Sequence, residues 1–350
     1  MFVYYVLLMS VRQCAALTTD VDLKYLAGPV GFTIRGGAAD VNSGLSVSAA
    51  WDVNGDDIGD VIVGAYQADP VVGGAARTNA GISYVIFGRS KAESPAAYYN
   101  NIDLLPLNTA GSALGFAILG AASNDNSGFS VSAAGDVNGD GIGDVIVGAY
   151  QADPVVGGTT RDNAGISYVV FGRSKATDLV ASYANIDLLP LNTAGSALGF
   201  AIIGATNSDN SGFSVSAAGD VNGDGLSDVI VGAYLADPVV GTIRTNAGIS
   251  YVIFGRSKTT ELAASYANID LLPLNTAGSA LGFAILGVKA DDNSGRSVST
   301  AGDMNGDGIV DVIVGAWIAD PVVGGTARDT AGITYVIFGR GYAVQSNIDL

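Results

Sequence analysis

The sequence predicts an all-β fold built from repeated four-stranded units stacked face to face, the arrangement of a β-propeller. An acidic loop begins at Asp52, Asp136, Asp220 and Asp303, so its copies start 84, 84 and 83 residues apart. The segments between the loops recur as well, and such periodicity is typical of solenoids and propellers. A parallel β-helix would need shorter coils, and nothing in the sequence shows the 3.6-residue period of a helical repeat.

Each unit contains four short apolar segments, which we interpret as strands. In the second unit they are Gly128–Gly135, Asp144–Gly148, Gly165–Gly172 and Gly199–Gly204. They are rich in Val, Ile, Phe and Tyr and are bounded by Gly, Asn, Asp and Pro, a composition that favours strands over helices. The first segment alternates apolar and polar residues, whereas the later ones are apolar on both faces, as in strands covered from both sides. Four such strands describe one propeller blade.

The acidic loops have the composition of a calcium site. Oxygen-bearing side chains occupy positions 1, 3, 5 and 9, and in three of the four loops a glycine stands at position 6, where the backbone must turn sharply. This is the arrangement that Ca²⁺, a hard cation with oxygen ligands, requires. The predicted side-chain ligands are Asp52, Asn54, Asp56 and Asp60; Asp136, Asn138, Asp140 and Asp144; Asp220, Asn222, Asp224 and Asp228; and Asp303, Asn305, Asp307 and Asp311.

The order of these motifs resembles the FG-GAP repeat of the integrin α-chain β-propeller. The resemblance rests on Gly-Phe-Ser-Val-Ser-Ala-Ala-Gly-Asp-Val-Asn-Gly-Asp-Gly, then Asp-Val-Ile-Val-Gly-Ala-Tyr, then Tyr-Val-Ile-Phe-Gly, and it covers roughly residues 20–350. It implies repeat units near 38–120, 121–204, 205–287 and 288–350, with a closing strand within 20–37. It also implies that each loop joins the first two strands of a blade, that about four Ca²⁺ ions bind, and that position 7 contributes a backbone carbonyl. The residues at position 7 are Ile58, Ile142, Leu226 and Ile309.

The chain departs from the family pattern at two kinds of position. Gly-Ala-Pro of the family is Gly-Ala-Tyr or Gly-Ala-Trp here, ending at Tyr66, Tyr150, Tyr234 and Trp317. In the first loop Asp57 occupies the place of Gly141 in the second. A positive φ at that position would strain a residue with a side chain, although Asp tolerates it better than most. We therefore expect the first site to be the weakest.

The number of blades does not follow from the repeat count alone. The fourth-strand type appears first, at Gly31–Gly36, and the third-strand type appears last, at Gly332–Gly339. Pairing these two segments would close a ring of four blades and remove the open sheet edges. An open arc, or a piece of a larger propeller, would give the same count. Asn347–Leu350, where earlier copies continue into Leu-Pro-Leu-Asn, hints at truncation.

Composition narrows the class of function. Sixteen basic and 33 acidic residues give a net charge of −17, which argues against nucleic-acid binding because that depends on clustered Lys and Arg. Tightly clustered carboxylates also favour a bound cation. The chain has no histidine, the commonest general base, so we expect no enzymatic activity. A hydrolase with a carboxylate pair is a less favoured alternative.

The N-terminus suggests export. Met1–Met9 is apolar and is followed by the small residues Cys14–Ala16, so residues 1–16 are a candidate signal peptide and the expected location is extracellular or at the cell surface. No apolar run reaches 18 residues, and we therefore expect no transmembrane segment. Cys14 is the single cysteine, so an intrachain disulfide is excluded. Bound calcium would then stabilise the fold in the way that disulfides do in many secreted proteins.

Several other repeated positions have two interpretations. Four aspartates that precede proline are better explained as turn openers than as ligands: Asp69, Asp153, Asp237 and Asp320. The Asp-Asn-Ser-Gly segments that begin at Asp125, Asp209 and Asp292 are also interpreted as turns. Tyr84, Tyr168, Tyr251 and Tyr335 fit packing between blades better than a sugar-binding platform. Trp51, Arg296 and Trp317 break the repeat, which either marks a binding face or reflects drift or capping.

Together these features predict a non-catalytic, calcium-binding adhesion or protein-binding module of the extracellular space or cell surface. Its protein or glycan ligand would bind the loops at one end of the propeller. The integrin resemblance favours a protein ligand, but at the level of the fold only. A lectin-like propeller that binds carbohydrate is the alternative, and a purely structural array is a third possibility.

Overall fold

The computed structural model describes residue 23 and residues 31–90, 100–109, 111–174, 183–257, 266–276, 278–341 and 346–350. The candidate signal peptide at 1–16 therefore lies outside the described residues. The described chain is all-β, as predicted. Its helical segments are 3-10 turns at Leu105–Asn108, Leu189–Asn192 and Leu272–Asn275, each with the sequence Leu-Pro-Leu-Asn. No helix within the described ranges has the length and apolar character needed to span a membrane.

The strands follow in chain order. The first unit contains β1 (Ile34–Arg35), β2 (Val47–Trp51), β3 (Asp60–Ala65), β4 (Val71–Val72), β5 (Ala75–Ala76), β6 (Ile82–Ile86), β7 (Ile102–Asp103) and β8 (Gly115–Leu119). The second contains β9 (Ser130–Gly135), β10 (Asp144–Ala149), β11 (Val155–Val156), β12 (Thr159–Thr160), β13 (Ile166–Val170), β14 (Ile186–Asp187) and β15 (Gly199–Ile203). The third contains β16 (Ser214–Gly219), β17 (Asp228–Ala233), β18 (Val239–Val240), β19 (Thr242–Ile243), β20 (Ile249–Ile253), β21 (Ile269–Asp270) and β22 (Gly282–Leu286). The fourth contains β23 (Ser294–Gly302), β24 (Asp311–Ala316), β25 (Val322–Val323), β26 (Thr326–Ala327), β27 (Ile333–Ile337) and β28 (Ile348–Asp349).

Each unit folds into one antiparallel sheet, which we call a blade. Blade 1 has the strand order β2-β3-β6-β8, blade 2 has β9-β10-β13-β15, blade 3 has β16-β17-β20-β22, and blade 4 has β23-β24-β27. The four strands predicted for the second unit are confirmed as β9, β10, β13 and β15. A short hairpin, such as β4–β5 in blade 1, projects between the second and third strands of every blade.

A parallel strand from the following unit extends each of the first three blades. We call these additions clasp strands: β14 pairs with β8, β21 with β15, and β28 with β22. An aspartate on each clasp strand forms a bidentate ion pair with an arginine of the blade it extends. The pairs are Arg77–Asp187, Arg161–Asp270 and Arg244–Asp349, with closest distances of 2.6, 2.7 and 2.5 Å. Consecutive blades are thus joined by backbone hydrogen bonds and by charge.

The hydrophobic core lies between consecutive blades. Ile62 and Phe116 of blade 1 belong to the same buried cluster as Val145 of blade 2, and a corresponding cluster joins blades 2 and 3. Tyr84 is 1% exposed and Tyr168 and Tyr251 are fully buried, which confirms packing rather than a sugar platform at these three positions. Burial from both sides explains why the second and third strands are apolar on both faces.

The predicted pairing of Gly31–Gly36 with Gly332–Gly339 is wrong. Strand β1 pairs in parallel with β7, Ile34 lying opposite Ile102, and in the described residues β27 pairs with β24 alone. Local contacts hold β1 beside blade 1: the Thr33 amide donates to Asn101 Oδ1 at 2.9 Å, and the Arg89 guanidinium lies 4.9 Å from the centre of the Phe32 ring. The blades form an open arc, because the first and last blades leave sheet surface exposed instead of meeting.

Candidate metal centre

The four acidic loops connect the first and second strands of the blades, as expected, and therefore lie at the same end of every blade. In the second loop the carboxylate at position 1 organises the turn. Asp136 Oδ1 accepts the amides of Gly139 and Asp140 at 2.7 and 3.1 Å, and Oδ2 accepts that of Gly141 at 2.9 Å. Asp220 and Asp303 do the same in the third and fourth loops. Hydrogen bonds within seven residues thus set the loop shape.

Position 6 of each loop has a positive φ, as its glycine predicted. The angle is 83° at Gly141, 89° at Gly225 and 87° at Gly308, and Asp57 adopts 63° in the first loop. The Asp57 amide still donates to Asp52 Oδ2, at 2.7 Å. Asp57 therefore holds the left-handed conformation that a residue with a Cβ adopts at a cost.

The aspartate at position 9 is buried and fastens the loop to the third strand. Asp144 is fully buried, and its Oδ2 and Oδ1 accept the amides of Val137 and Gly172, both at 2.9 Å. Asp60, Asp228 and Asp311 accept the equivalent pairs of amides. The sequence assigned these residues as metal ligands and gave no sign of this anchoring role, because the second amide lies about 28 residues further along the chain.

Burial changes the titration of three of these aspartates, Asp60, Asp144 and Asp228. Burial raises the pKa of Asp60 to about 6 and that of Asp228 to about 7, and it raises the pKa of Asp144 well above its usual range. The two backbone amides act in the opposite direction, while the acids at positions 1 and 5 of the same loop raise the pKa further by repulsion. The first three loops therefore concentrate negative charge around a desolvated carboxyl group.

The asparagine at position 3 provides the test of whether a cation fits. Asn54 is 1% exposed, and its Oδ1 accepts no hydrogen bond. In the other loops the corresponding oxygen accepts the position 5 amide, as Asn138 Oδ1 does from Asp140 at 2.9 Å. A buried carbonyl oxygen without a donor is costly unless another group satisfies it, and an oxygen-rich set of this kind suits Ca²⁺. The residues present thus fit a hard cation.

The acidic side chains alone do not form a compact cluster. Within the described ranges, no three His, Cys, Asp or Glu side chains converge closely enough to hold a metal ion. Any ion in these loops would therefore draw on the asparagine amide and on backbone oxygens as well as on carboxylates.

Neighbouring loops are connected directly. The amide of Gly143, at position 8 of the second loop, donates to the carbonyl of Asp52 in the first at 2.9 Å, and the Arg173 amide donates to the carbonyl of Val53 at 2.9 Å. Corresponding bonds run from Ser227 to Asp136 and from Val310 to Asp220. The backbones of consecutive loops are therefore in direct contact.

An aromatic column lies at the opposite end of the first strands. Phe129 precedes β9 and packs between Tyr66 and Tyr150, with ring centroids 5.4 and 4.6 Å away. Phe213 continues the column to Tyr234, and Arg296 lies over Phe213 and over Trp317 at 4.7 and 4.9 Å. Arg296 and Trp317, which break the repeat, therefore extend this column in blade 4.

The remaining repeated acids have structural partners. A backbone amide nine or ten residues later donates to each of four aspartates, so these acids have a structural partner across the short hairpin: Asp69, Asp153, Asp237 and Asp320. Asp125 and Asp209 accept the amides of Ala122 and Thr206, three residues earlier, so their side chains bond to the local backbone as expected, although not in Asx-turn geometry. Trp51 occupies a bulge whose counterparts Gly135, Gly219 and Gly302 have positive φ, and it adopts φ 61° with 61% of its surface exposed.

Comparison with known families agrees with this geometry. The model of the FG-GAP repeat matches residues 43–86, 127–170 and 211–253, each from three or four residues before a first strand to the end of a third. The chain carries FG-GAP repeats. The fourth unit shows the same first three strands but is not among the matched ranges. No curated protein matches the chain. FG-GAP repeats of this kind indicate a propeller-type module that interacts with other proteins.

Proposed function

We propose that this FG-GAP chain is a calcium-binding, non-catalytic adhesion module that binds a protein ligand outside the cell or at its surface. The observation that carries the proposal is the repeated oxygen-lined loop; in its first copy the buried Asn54 Oδ1 also lacks a hydrogen-bond donor. In the second loop the ion would be held by Asp136, Asn138 and Asp140, with the carbonyl of Ile142 and the carboxylate of Asp144. The equivalent residues would serve in the other three loops.

Charge supports the same proposal. The chain carries a net charge of −17, and each loop places two acids beside a buried third. Four Ca²⁺ ions would supply eight positive charges where the repulsion is greatest, and carboxylates so close together resist ionising without a cation. Calcium would thus stabilise the folded loops rather than take part in a reaction.

The ligand surface is best placed at the end of the arc opposite the acidic loops. The short hairpins between the second and third strands emerge there, because the second strand runs away from the loop. Each hairpin begins with an exposed valine: Val71, Val155, Val239 and Val322 are 61, 62, 65 and 68% exposed. Exposed valines at equivalent positions of all four units offer a protein ligand a repeated apolar contact at this end. Burial of Tyr84, Tyr168 and Tyr251 removes the main support for the glycan-binding alternative.

Calorimetric titration of Ca²⁺ into chelator-treated protein tests the calcium sites. We expect about four bound ions and a higher melting temperature, since a ligand that binds the folded state alone stabilises it by mass action, by several kcal/mol at saturation. Asp140→Asn, which leaves the fold-anchoring Asp144 intact, should remove one site. Asp162→Asn, in an exposed turn, is the matched control. An unchanged melting temperature after exhaustive chelation would refute calcium binding.

Binding of the immobilised chain to panels of extracellular proteins and of glycans tests the ligand class. We expect binding to a protein and its weakening when Val155 and Val239 are changed to Asp. Binding confined to the glycan panel would instead support the lectin-like alternative.

A further inference from the structure

The two ends of the arc present complementary unpaired sheet edges. Blade 4 has three strands in the described residues, β23-β24-β27, while β1 and β7 form a separate two-stranded sheet at the other end. Joined through β27 and β1, they would give a five-stranded sheet with the order of β9-β10-β13-β15-β21. We propose that copies of this chain assemble head to tail, with β1 and β7 of one copy completing blade 4 of another.

The pairing geometry of β1 specifies how the strands would meet. Ile34 lies opposite Ile102, just as Ile118 of β8 lies opposite Ile186 of the clasp strand β14. Strand β1 is therefore the counterpart of β8, and β7 is the counterpart of a clasp strand. The other edge of β8 pairs antiparallel with β6. The corresponding edge of β1 is the one that an incoming β27 would occupy.

The register of the joined strands follows from the internal blades. Val85 lies opposite Phe116 in blade 1, and Val169 lies opposite Phe200 in blade 2. The same register in the assembly pairs Val336 of one copy with Phe32 of the next. Backbone hydrogen bonding along a free edge is the usual way in which sheets recruit another chain.

The apolar faces beside these edges match as well. Phe338 is 52% exposed, whereas its counterparts Phe87, Phe171 and Phe254 are at most 7% exposed between blades. At the other end Val61 is 37% exposed, whereas its counterparts in blades 2, 3 and 4 are fully buried. The end faces are thus the two halves of a junction that is buried wherever one blade follows another.

A groove at the first end has the position required for Phe338. It has a volume of about 270 Å³ and is lined by Phe32, Ile58, Val61 and Ile86, among others. Inside the molecule, Phe87 occupies the matching place: its ring centroid lies 6.0 Å from that of Phe116, in the cluster that contains Val145. Phe338 of one copy would enter the groove of the next in the same way.

The charges at the two ends are complementary. Arg77, Arg161 and Arg244 each bind the aspartate of a clasp strand. Arg328 is the fourth arginine in this series, Asp103 of β7 is the counterpart of Asp187, and no ion pair of either is found among the described residues. In the assembly Arg328 of one copy meets Asp103 of the next. A contact of this head-to-tail type produces rings if the rotation closes and filaments if it does not.

A charge-swap experiment on the 350-residue chain tests the proposal by light scattering over a range of concentrations. We expect the parent chain to grow in mass as its concentration rises. Arg328→Asp and Asp103→Arg should each raise the dissociation constant about tenfold or more, because each places like charges in the junction. An equimolar mixture of the two variants should assemble again, since every junction then contains one Arg and one Asp. Asp162→Arg, outside both ends, should assemble like the parent.

A second pair of variants tests the apolar contact. Val336→Asp should weaken assembly. Val155→Asp, at a valine that is more exposed but lies outside both ends, should leave assembly unchanged. A parent chain that remains monomeric at every concentration overturns the proposal. So does assembly that persists in both single charge variants, or a mixture that fails to assemble.

Discussion

Asp57 and Trp51 both occupy positions at which the other repeats have glycine, and both adopt a positive φ, 63° and 61°. The left-handed conformation costs a residue with a Cβ about 1–2 kcal/mol. Both strained residues belong to the region of the first acidic loop: Trp51 immediately precedes Asp52, and Asp57 lies within the loop. The first loop therefore contains backbone strain that is absent from the other three loops.

We predict that Asp57→Gly strengthens calcium binding at the first loop. Removing the Cβ releases about 1 kcal/mol of strain, equivalent to roughly a fivefold gain in affinity. The converse change Gly141→Asp should weaken the second site by a similar factor. Calorimetric titration of the two variants and the parent measures both effects, and an unchanged first-site affinity in Asp57→Gly would show that backbone strain is not limiting.

A second prediction concerns Asp125, which lies outside the metal loops. Burial raises the pKa of Asp125 to about 7, with a smaller contribution from Asp153 in the same direction. In the unfolded chain the pKa is close to 3.9. Between these values the folded state retains a proton that the unfolded state releases, so the free energy of unfolding falls as the pH rises from about 4 to about 7.

Asp125→Asn should remove this part of the pH dependence, because an amide oxygen can still accept the Ala122 amide. We expect the variant to exceed the parent in unfolding free energy by roughly 3–4 kcal/mol at pH 8 and by only about 1–2 kcal/mol at pH 5. Urea denaturation at both pH values, with the exposed Asp162→Asn as control, measures the difference. A variant that is equally offset at both pH values would mean that the carboxyl group of Asp125 is ionised throughout.

At the level of single residues, the sequence predicted those contacts whose two partners lie close together along the chain. The position 1 aspartates and the position 6 glycine conformation were predictable because the partners lie within one loop. The amide bonds of Asp144 were not, since they require the third strand to return to the loop. The positive φ of Trp51 could have been inferred from the glycines at 135, 219 and 302, which occupy the same place in the repeat.

Among the elements, the clasp strands join the blades into an arc. Arg161 donates to Asp270 at 2.7 and 2.9 Å and to the carbonyl of Gly204 at 2.8 Å, with 13% of its side chain exposed. Partly buried bidentate pairs of this kind contribute more than exposed ones, since little water competes and both side chains are fixed. The clasp should therefore be measurable in the stability of the junction.

We predict that Arg161→Gln lowers the free energy of unfolding by about 1–3 kcal/mol. Lys289→Gln is the matched control, because Lys289 pairs with Asp320 at 2.9 Å but is 61% exposed. Exposed pairs contribute about 0–1 kcal/mol. Thermal or urea denaturation at moderate ionic strength compares the two variants, and equal losses would mean that the clasp ion pair is as solvated as a surface pair.

The clasp strands could not be predicted from local patterns. Each contains two paired residues, and the partner of Ile186 in β14 is Ile118, 68 positions earlier. The repeat period and the alternation of apolar and polar residues identify strands of five or six residues. They carry no information on parallel strand pairs that are only two residues long. The four main strands of each unit were predictable for the opposite reason, since burial on both faces leaves continuous apolar segments.

For the whole molecule, counting strand types did not determine closure. The count left β1 and β27 as the unmatched strands, and pairing them within one chain was the simplest way to remove two edges. The structure instead places β1 against β7 and beside blade 1, where Ile34 and Val41 pack on the buried cluster of that blade. The curvature between blades, which decides whether the ends meet, depends on side-chain packing and is not encoded in the repeat length.

The open arc predicts an unequal response to truncation of equivalent phenylalanines. Phe254 is 7% exposed between blades 3 and 4, whereas Phe338 on the end face is 52% exposed. Phe254→Ala should cost about 3–4 kcal/mol, the usual loss for a buried aromatic ring, and Phe338→Ala less than about 1 kcal/mol. Urea denaturation should be performed on dilute protein, at concentrations where light scattering reports monomers. Similar losses for the two variants under those conditions would show that the ends of one chain meet, and that the blades form a closed ring.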